Sequence, residues 1–383
     1  MSHERTSSIN AGATLFYAAS ETDSNLYYAT RFIAPDPFLY VDVKGERLLV
    51  MSDLEMDRAR HQAKVDQVLS YSELERRALT EPAQQPGPMD VAHVLLRERG
   101  VDQLLVPSNF PFGHALRLQE LGYRVQTKKD PFFEQRVIKT AEEVAHIEAS
   151  QRATERAVTA AHDLLRRSTV LEGMLWFEGE PLTSERVKKL INVRLMEDDC
   201  VAQHTIVAGG EQACDPHNEG SGPLPADRSI IFDVFPRSAV SRYFADMSRT
   251  VVRGTASPAL QRLYQTVLDA QEEAIDSIRD GADGTKIHQR ICERFDTAGY
   301  RTGLAHGRMQ GYFHGTGHGV GLDIHEAPRI SRNGSTLQEG HVVTVEPGLY
   351  YPGLGAVRIE DMVLVTSDGC RNLTHYPKRL QLD

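Results

Sequence analysis

A chain of 383 residues, 40% hydrophobic and 25% charged, has the length for two domains with their own cores and is neither disordered nor fibrous. Its 43 Lys and Arg against 53 Asp and Glu leave a net charge of -10, which argues against nucleic acid or an anionic membrane as the main partner, because phosphate binding calls for surplus cations. No apolar run approaches the roughly 20 residues of a membrane span, and Met1-Ser2-His3-Glu4-Arg5 lacks the apolar core of a signal peptide, so a cytoplasmic location is expected.

The first third alternates apolar runs with helical patterns. Thr14 to Tyr17, Phe38 to Val41, Arg47 to Met51 and Gln103 to Val106 read as strands; Leu54 to Gln62, Val91 to Arg99 and His114 to Leu121 read as helices, the last two stopped by Gly100 and Gly122. Such alternation predicts a small α/β domain. Thr140-Ala141-Glu142-Glu143 is a capping box that opens a long helix to about Arg167, striped by Val144, Ile147, Val158, Ala161 and Leu165, and the domain boundary is placed just before it. Beyond it come a further helix, a strand pair, two helices (Pro258 to Ile278, Thr285 to Ala298) and a glycine-rich strand region. Ile230 to Asp233 with Met247 to Val252 reads as one hairpin, and Val342 to Glu346 with Ala356 to Glu360 as another. Each pair carries two carboxylates, Asp233 with Asp246 and Glu346 with Glu360, which hints at a duplicated half. Cys200, Cys214, Cys292 and Cys370 are too dispersed for a Cys-x-x-Cys site and too few to staple the chain, and are read as reduced thiols.

The chemistry concentrates late in the chain. Four of the 15 histidines lie between His306 and His325, in or beside the run His314-Gly315-Thr316-Gly317-His318-Gly319-Val320-Gly321-Leu322-Asp323-Ile324-His325-Glu326. Taken singly, each feature has a bland reading. An Asp at a strand end is common, His217 alone suits a loop, and Arg358 serves equally as a structural ion-pair partner. Glu346 and Glu360, each ending an apolar run, are stronger, because a buried carboxylate needs a partner, a metal or a raised pKa. Four carboxylates and an imidazole form a mostly oxygen donor set suited to Mn²⁺, with Co²⁺, Fe²⁺ or Zn²⁺ as alternatives. Two divalent ions balance four carboxylates in charge, so the arithmetic favours a two-metal centre.

Ala245-Asp246-Met247-Ser248-Arg249-Thr250, the HxxxHxxGxxxHE run, Val345-Glu346-Pro347-Gly348 and Arg358-Ile359-Glu360-Asp361 occur in that order. The series Asp233, Asp246, His318, Glu346, Glu360 in these surroundings resembles the pita-bread metallopeptidases, in their aminopeptidase P and prolidase branch, over about residues 136 to 383. The resemblance implies an α/β (α+β) chain, with a creatinase-like α/β domain over residues 1–135 and a pita-bread catalytic domain over 136–383. It further implies that Asp233 and Asp246 hold one metal and bridge to the second, that His318 and Glu346 bind the second, and that Glu360 bridges both. Glu346 becomes the acid and base, His217, His314 and His325 active-site histidines, and Arg329 the group that holds the free carboxylate of an Xaa-Pro dipeptide, with Arg358 also counted among substrate-side residues.

One departure stands out. The family commonly has a glycine two positions after the first aspartate and a shorter interval to the second; here Asp233-Val234-Phe235-Pro236 lacks that glycine. Two extra residues preserve side-chain facing in a strand of period two, so a longer hairpin with its carboxylates intact is expected. The function implied is a two-metal peptidase cutting between an amino-terminal residue and proline, acting on proline-containing peptides as a homodimer. A metal-free creatinase-like hydrolase, a methionine aminopeptidase and a non-enzymatic interaction protein on the same fold remain as rivals.

Overall fold

The computed structural model describes residues 12–79 and 85–383, so the amino-terminal stretch read above for a leader lies outside it. The chain forms two compact units, Met1–Phe133 and Glu134–Asp383. Among the described residues no helix is long and apolar enough to cross a membrane. All four cysteines are free thiols.

The first unit is built on a six-stranded mixed sheet, in the order Gln67–Ser70, Glu46–Met51, Phe38–Val43, Ala13–Ala18, Gln103–Pro107, Arg124–Lys128. The period of two sorts its apolar residues between two cores. Leu15, Leu39, Val41, Leu48 and Val50 enter one, while Phe16, Phe38, Tyr40, Leu49 and Met51 enter the other. Four elements go beyond the sequence reading: the helices Ser24–Thr30 and Tyr71–Ala78 and the edge strands Gln67–Ser70 and Arg124–Lys128.

The second unit opens with the helix Ala141–Arg167, whose capping box has both reciprocal bonds, Thr140 Oγ1 accepting from Glu143 N and Glu143 Oε2 accepting from Thr140 N. This helix and Ser184–Glu197 share a core with Val207, Ile230, Phe232, Val234, Met247 and Val251, and so back a four-stranded sheet ordered Ile206–Gly209, Ile230–Val234, Met247–Arg253, Gln381–Leu382. The helices Pro258–Asp276 and Gly284–Thr297 share a second core with Val343, Val345, Val357 and Val363, and so back strands of a five-stranded sheet ordered Glu326–Ile330, Gly317–Gly319, Val342–Val345, Asp361–Val365, Cys370–Asn372.

The first expected hairpin is present, with Asp233 opposite Ser248. Asp246 lies two residues before Ser248, which in a period of two puts both aspartates on one face despite the longer connection. The second expected hairpin has a different register. Val342–Val345 pairs with Asp361–Val365, not with Ala356 to Glu360, while Gly348–Tyr351 pairs with Gly355–Arg358. The ladder breaks because Pro347 has no N–H to give, Glu346 N donates to Thr316 O at 2.8 Å, and Glu360 N donates to Ser248 O at 3.1 Å. Both glutamates therefore stand where the two strands leave their ladder, and the Glu360 bond ties the two halves of the unit together.

Candidate metal centre

The break in the second ladder and the face of the first hairpin open into one cavity of about 950 Å³. It is lined by every residue singled out above: Asp233, Asp246, His318, Glu346 and Glu360, with His217, His314, His325, Arg329 and Arg358. Among the described residues, Asp246, His318 and Glu360 form the one group of three or more whose ligand atoms all lie within 4.8 Å of one another, and all three are buried. Glu346 adjoins this trio, with Oε1 3.4 Å from His318 Nε2. Asp233 stands apart from it: Oδ2 accepts from Arg358 Nη2 at 2.7 Å, and its buried Oδ1 has no hydrogen-bond partner.

Backbone contacts fix the chemistry of the two inner histidines. His318 Nδ1 lies 3.1 Å from Gly319 O, a carbonyl that can only accept, so Nδ1 carries the proton and Nε2 offers a lone pair. That lone pair faces Glu346 Oε1 and, at 3.6 Å, Asp246 Oδ2. Acceptors so opposed repel unless a cation or a proton lies between them. His314 Nδ1 likewise donates to Gly315 O at 2.8 Å, so its Nε2 accepts from Tyr350 O–H at 2.9 Å, and the Tyr350 oxygen accepts from Arg358 Nη1 at 2.8 Å. Both nitrogens of His314 are thereby spent on the protein, with Glu346 Oε2 4.0 Å from Nδ1. Next to His318, Gly317 lets its strand lie close against Thr344, since an added Cβ there would stand 1.9 Å from Thr344 O.

Electrostatics point the same way. Burial first, then the charges of Glu360, Asp233 and Glu346, hold the Asp246 carboxyl well above the usual carboxylate range. Burial followed by Glu346 and Asp233 does the same to Glu360. Burial raises Glu346 to about 8 against the pull of Arg358. Burial also lowers His314 and His318 to about 3, which keeps both rings neutral at physiological pH. An uncompensated cluster of this kind is costly, and divalent cations are its ordinary compensation. The orphaned Asp233 Oδ1, the opposed acceptors and the hard oxygen donors thus fit divalent metal.

Around this core, Arg358 directs Nε to Ser248 Oγ at 2.9 Å, as well as binding Asp233 and Tyr350, and is 4% exposed. Its donors are committed to protein groups. Ser248 in turn donates to Glu360 Oε2 at 2.9 Å. No local pattern marks Ser248, which lies within Ala245-Asp246-Met247-Ser248-Arg249-Thr250, or Tyr350, which lies just past Val345-Glu346-Pro347-Gly348; their signal is their partners, which only the fold supplies. His217, His325 and Arg329 are exposed on the cavity wall, and the His325 ring stands edge-on to His318 at 4.4 Å.

The model of metallopeptidase family M24 matches residues 145–367. An Xaa-Pro dipeptidase of Pyrococcus horikoshii is 28% identical over 360 residues, which cover 93% of this chain and 92% of that one. Among solved structures, an X-Pro aminopeptidase from Thermotoga maritima superposes with a TM-score of 0.80 at 22% identity, covering 97% of both chains. Prolidase from Pyrococcus furiosus superposes at 0.77 with 25% identity, covering 96% of this chain and 97% of that one. The chain therefore has the pita-bread fold, in a mixed α/β protein with an amino-terminal domain.

Proposed function

The chain belongs to metallopeptidase family M24, and from that premise we propose that it hydrolyses the bond between an amino-terminal residue and proline, with two divalent ions, Mn²⁺ first among them. The observation that carries the metal half of the reading is the His318 lone pair turned onto Glu346 and Asp246. The Xaa-Pro half is supported by the dipeptidase of Pyrococcus horikoshii, which aligns over nearly the whole of both chains.

Asp233, Asp246, His318, Glu346 and Glu360 would hold the ions, which when bound supply a water of lowered pKa and polarise the scissile carbonyl. The Glu346 carboxylate takes the proton of the attacking water and passes it to the leaving proline nitrogen. His217 and His325, whose rings reach the open cavity, donate to the oxygen that becomes negative in the tetrahedral intermediate. Arg358 and Tyr350 hold Asp233 and His314 in place behind them. Arg329, which lines the cavity, would grip a substrate carboxylate through two parallel hydrogen bonds. A homodimer belongs to the same proposal and rests on the resemblance alone, while the cytoplasmic location stays the expectation drawn above from the sequence.

Hydrolysis rates for Ala-Pro, Ala-Pro-Ala and Ala-Ala with added Mn²⁺ test the reading. Cleavage of either proline peptide with Ala-Ala left intact is the expected result. Faster cleavage of Ala-Ala would defeat it.

A further inference from the structure

The segment that begins the second unit is bound to the turn that carries His325. Lys139, its side chain 1% exposed, donates from Nζ to Glu326 Oε1 at 2.6 Å, Arg136 O at 2.8 Å and Val137 O at 3.2 Å, which uses all three of its donors. Arg136, 7% exposed, donates from Nη2 to Glu326 Oε2 at 3.0 Å and Asp323 Oδ2 at 2.8 Å. Each Glu326 oxygen is thus held by a different cation. The carboxylate lies on the bare α-carbon of Gly321, where an added Cβ would come within 2.5 Å of Oε1.

A buried ion cluster is a poor device for stability, since desolvation offsets much of its attraction and apolar groups of equal volume serve as well. It does impose a geometry. The strands Gly317–Gly319 and Glu326–Ile330 pair His318 with Arg329 but Gly319 with Glu326, so the register shifts just where the turn begins, and Glu326 is its closing residue. His325 is the last residue of that turn, directly before the strand Glu326–Ile330. With Glu326 turned inward onto Lys139, its neighbour His325 is turned to the cavity, edge-on to His318.

We propose that Glu326 is a positioning residue: clamped by Lys139 and Arg136, it aims His325 at the substrate. The proposal rests on the reading of His325 as a substrate-side group. It differs from a purely structural role in one respect, because Glu326 acts on the reaction only through His325.

The test is a double-mutant cycle on the Mn²⁺-loaded full chain, with metal content, melting temperature and kcat/KM on Ala-Pro read for each protein. Glu326→Gln keeps the side-chain volume and removes the charge. It is expected to retain wild-type metal content while kcat/KM falls roughly ten- to a hundredfold, the scale of an ångström-sized misplacement. In a His325→Ala background the same substitution should change kcat/KM by less than about twofold, although the melting temperature falls in both backgrounds. Lys139→Gln approaches the clamp from its other side and should give a smaller, equally non-additive loss, since Arg136 still holds Glu326; it carries the test if Glu326→Gln does not fold. Wild-type kcat/KM for Glu326→Gln, or equal losses with and without His325, overturns the proposal. Wild-type kcat/KM for His325→Ala would overturn the substrate-side reading of His325 as well.

Discussion

His162 offers a prediction whose size follows from its surroundings. It lies on the long helix Ala141–Arg167, 3% exposed, with its ring edge-on to Phe232 at 4.8 Å, Nδ1 bonded to Tyr376 Oη at 2.9 Å and Nε2 without a partner. Burial first, then the charges of Arg166 and Arg249, lowers its pKa from 6.5 to about 3. Above the unfolded value the ring is neutral in both states and contributes nothing to pH dependence. As pH falls below that value the unfolded chain binds a proton that the folded chain refuses, so stability is lost down to the folded pKa. Each pH unit in that window costs about 1.4 kcal/mol, or about 2.7 kcal/mol over two units. His162→Leu removes this liability while giving up the Tyr376 hydrogen bond, a pH-independent loss of about 0.5 to 1.5 kcal/mol. The variant should therefore be slightly less stable than wild type at pH 7 and more stable near pH 4.5. Urea unfolding followed by the fluorescence of Trp176, the single tryptophan, reports on the second unit alone. With chelator present, bound metal adds nothing to either curve. Parallel stability profiles for the two proteins between pH 7 and pH 4.5 would refute the reasoning.

Replacing Glu346 with Gln should cut turnover by roughly 10²- to 10⁴-fold, since an amide cannot shuttle the proton, and any metal lost adds to this; a rate within about tenfold of wild type would remove Glu346 from that role. His217→Ala and His325→Ala should each keep full metal content while kcat/KM falls, and metal loss in either would move that histidine among the ligands. Arg329→Ala should weaken Ala-Pro hydrolysis by about 1.5 to 3 kcal/mol in transition-state terms and largely spare Ala-Pro-Ala, the mark of a bond to a free carboxylate. Equal losses on both peptides would mean that Arg329 only supports its loop.

The elements legible in the sequence are those whose stabilising contacts are local. The capping box at Thr140 and Glu143 satisfies donors within one turn, and the apolar run Ile230 to Phe232 declares a buried strand. Arg124–Lys128 and Gln67–Ser70 were not legible, because these are short, only partly covered edge strands held by parallel pairing to a neighbouring strand and not by an apolar pattern of their own. The second hairpin misled for a related reason. Glu346 and Glu360 give their amides to Thr316 and Ser248, so the register depends on partners distant along the chain, which no pattern local to the hairpin reveals. In the site, the side chains that carry charge or a lone pair stood out by type and spacing. Those around them did not: Tyr350 bridges His314 and Arg358, and Glu326 is held by Lys139, 187 positions away.

The central claim is that Asp233, Asp246, His318, Glu346 and Glu360 hold two divalent ions on which hydrolysis depends. Inductively coupled plasma analysis of the purified chain, paired with Ala-Pro and Ala-Pro-Ala hydrolysis before chelation, after chelation and after addition of Mn²⁺, tests it most directly. Two ions per chain are expected, with activity lost on their removal and restored by Mn²⁺; full activity in metal-free protein would show that hydrolysis does not depend on them.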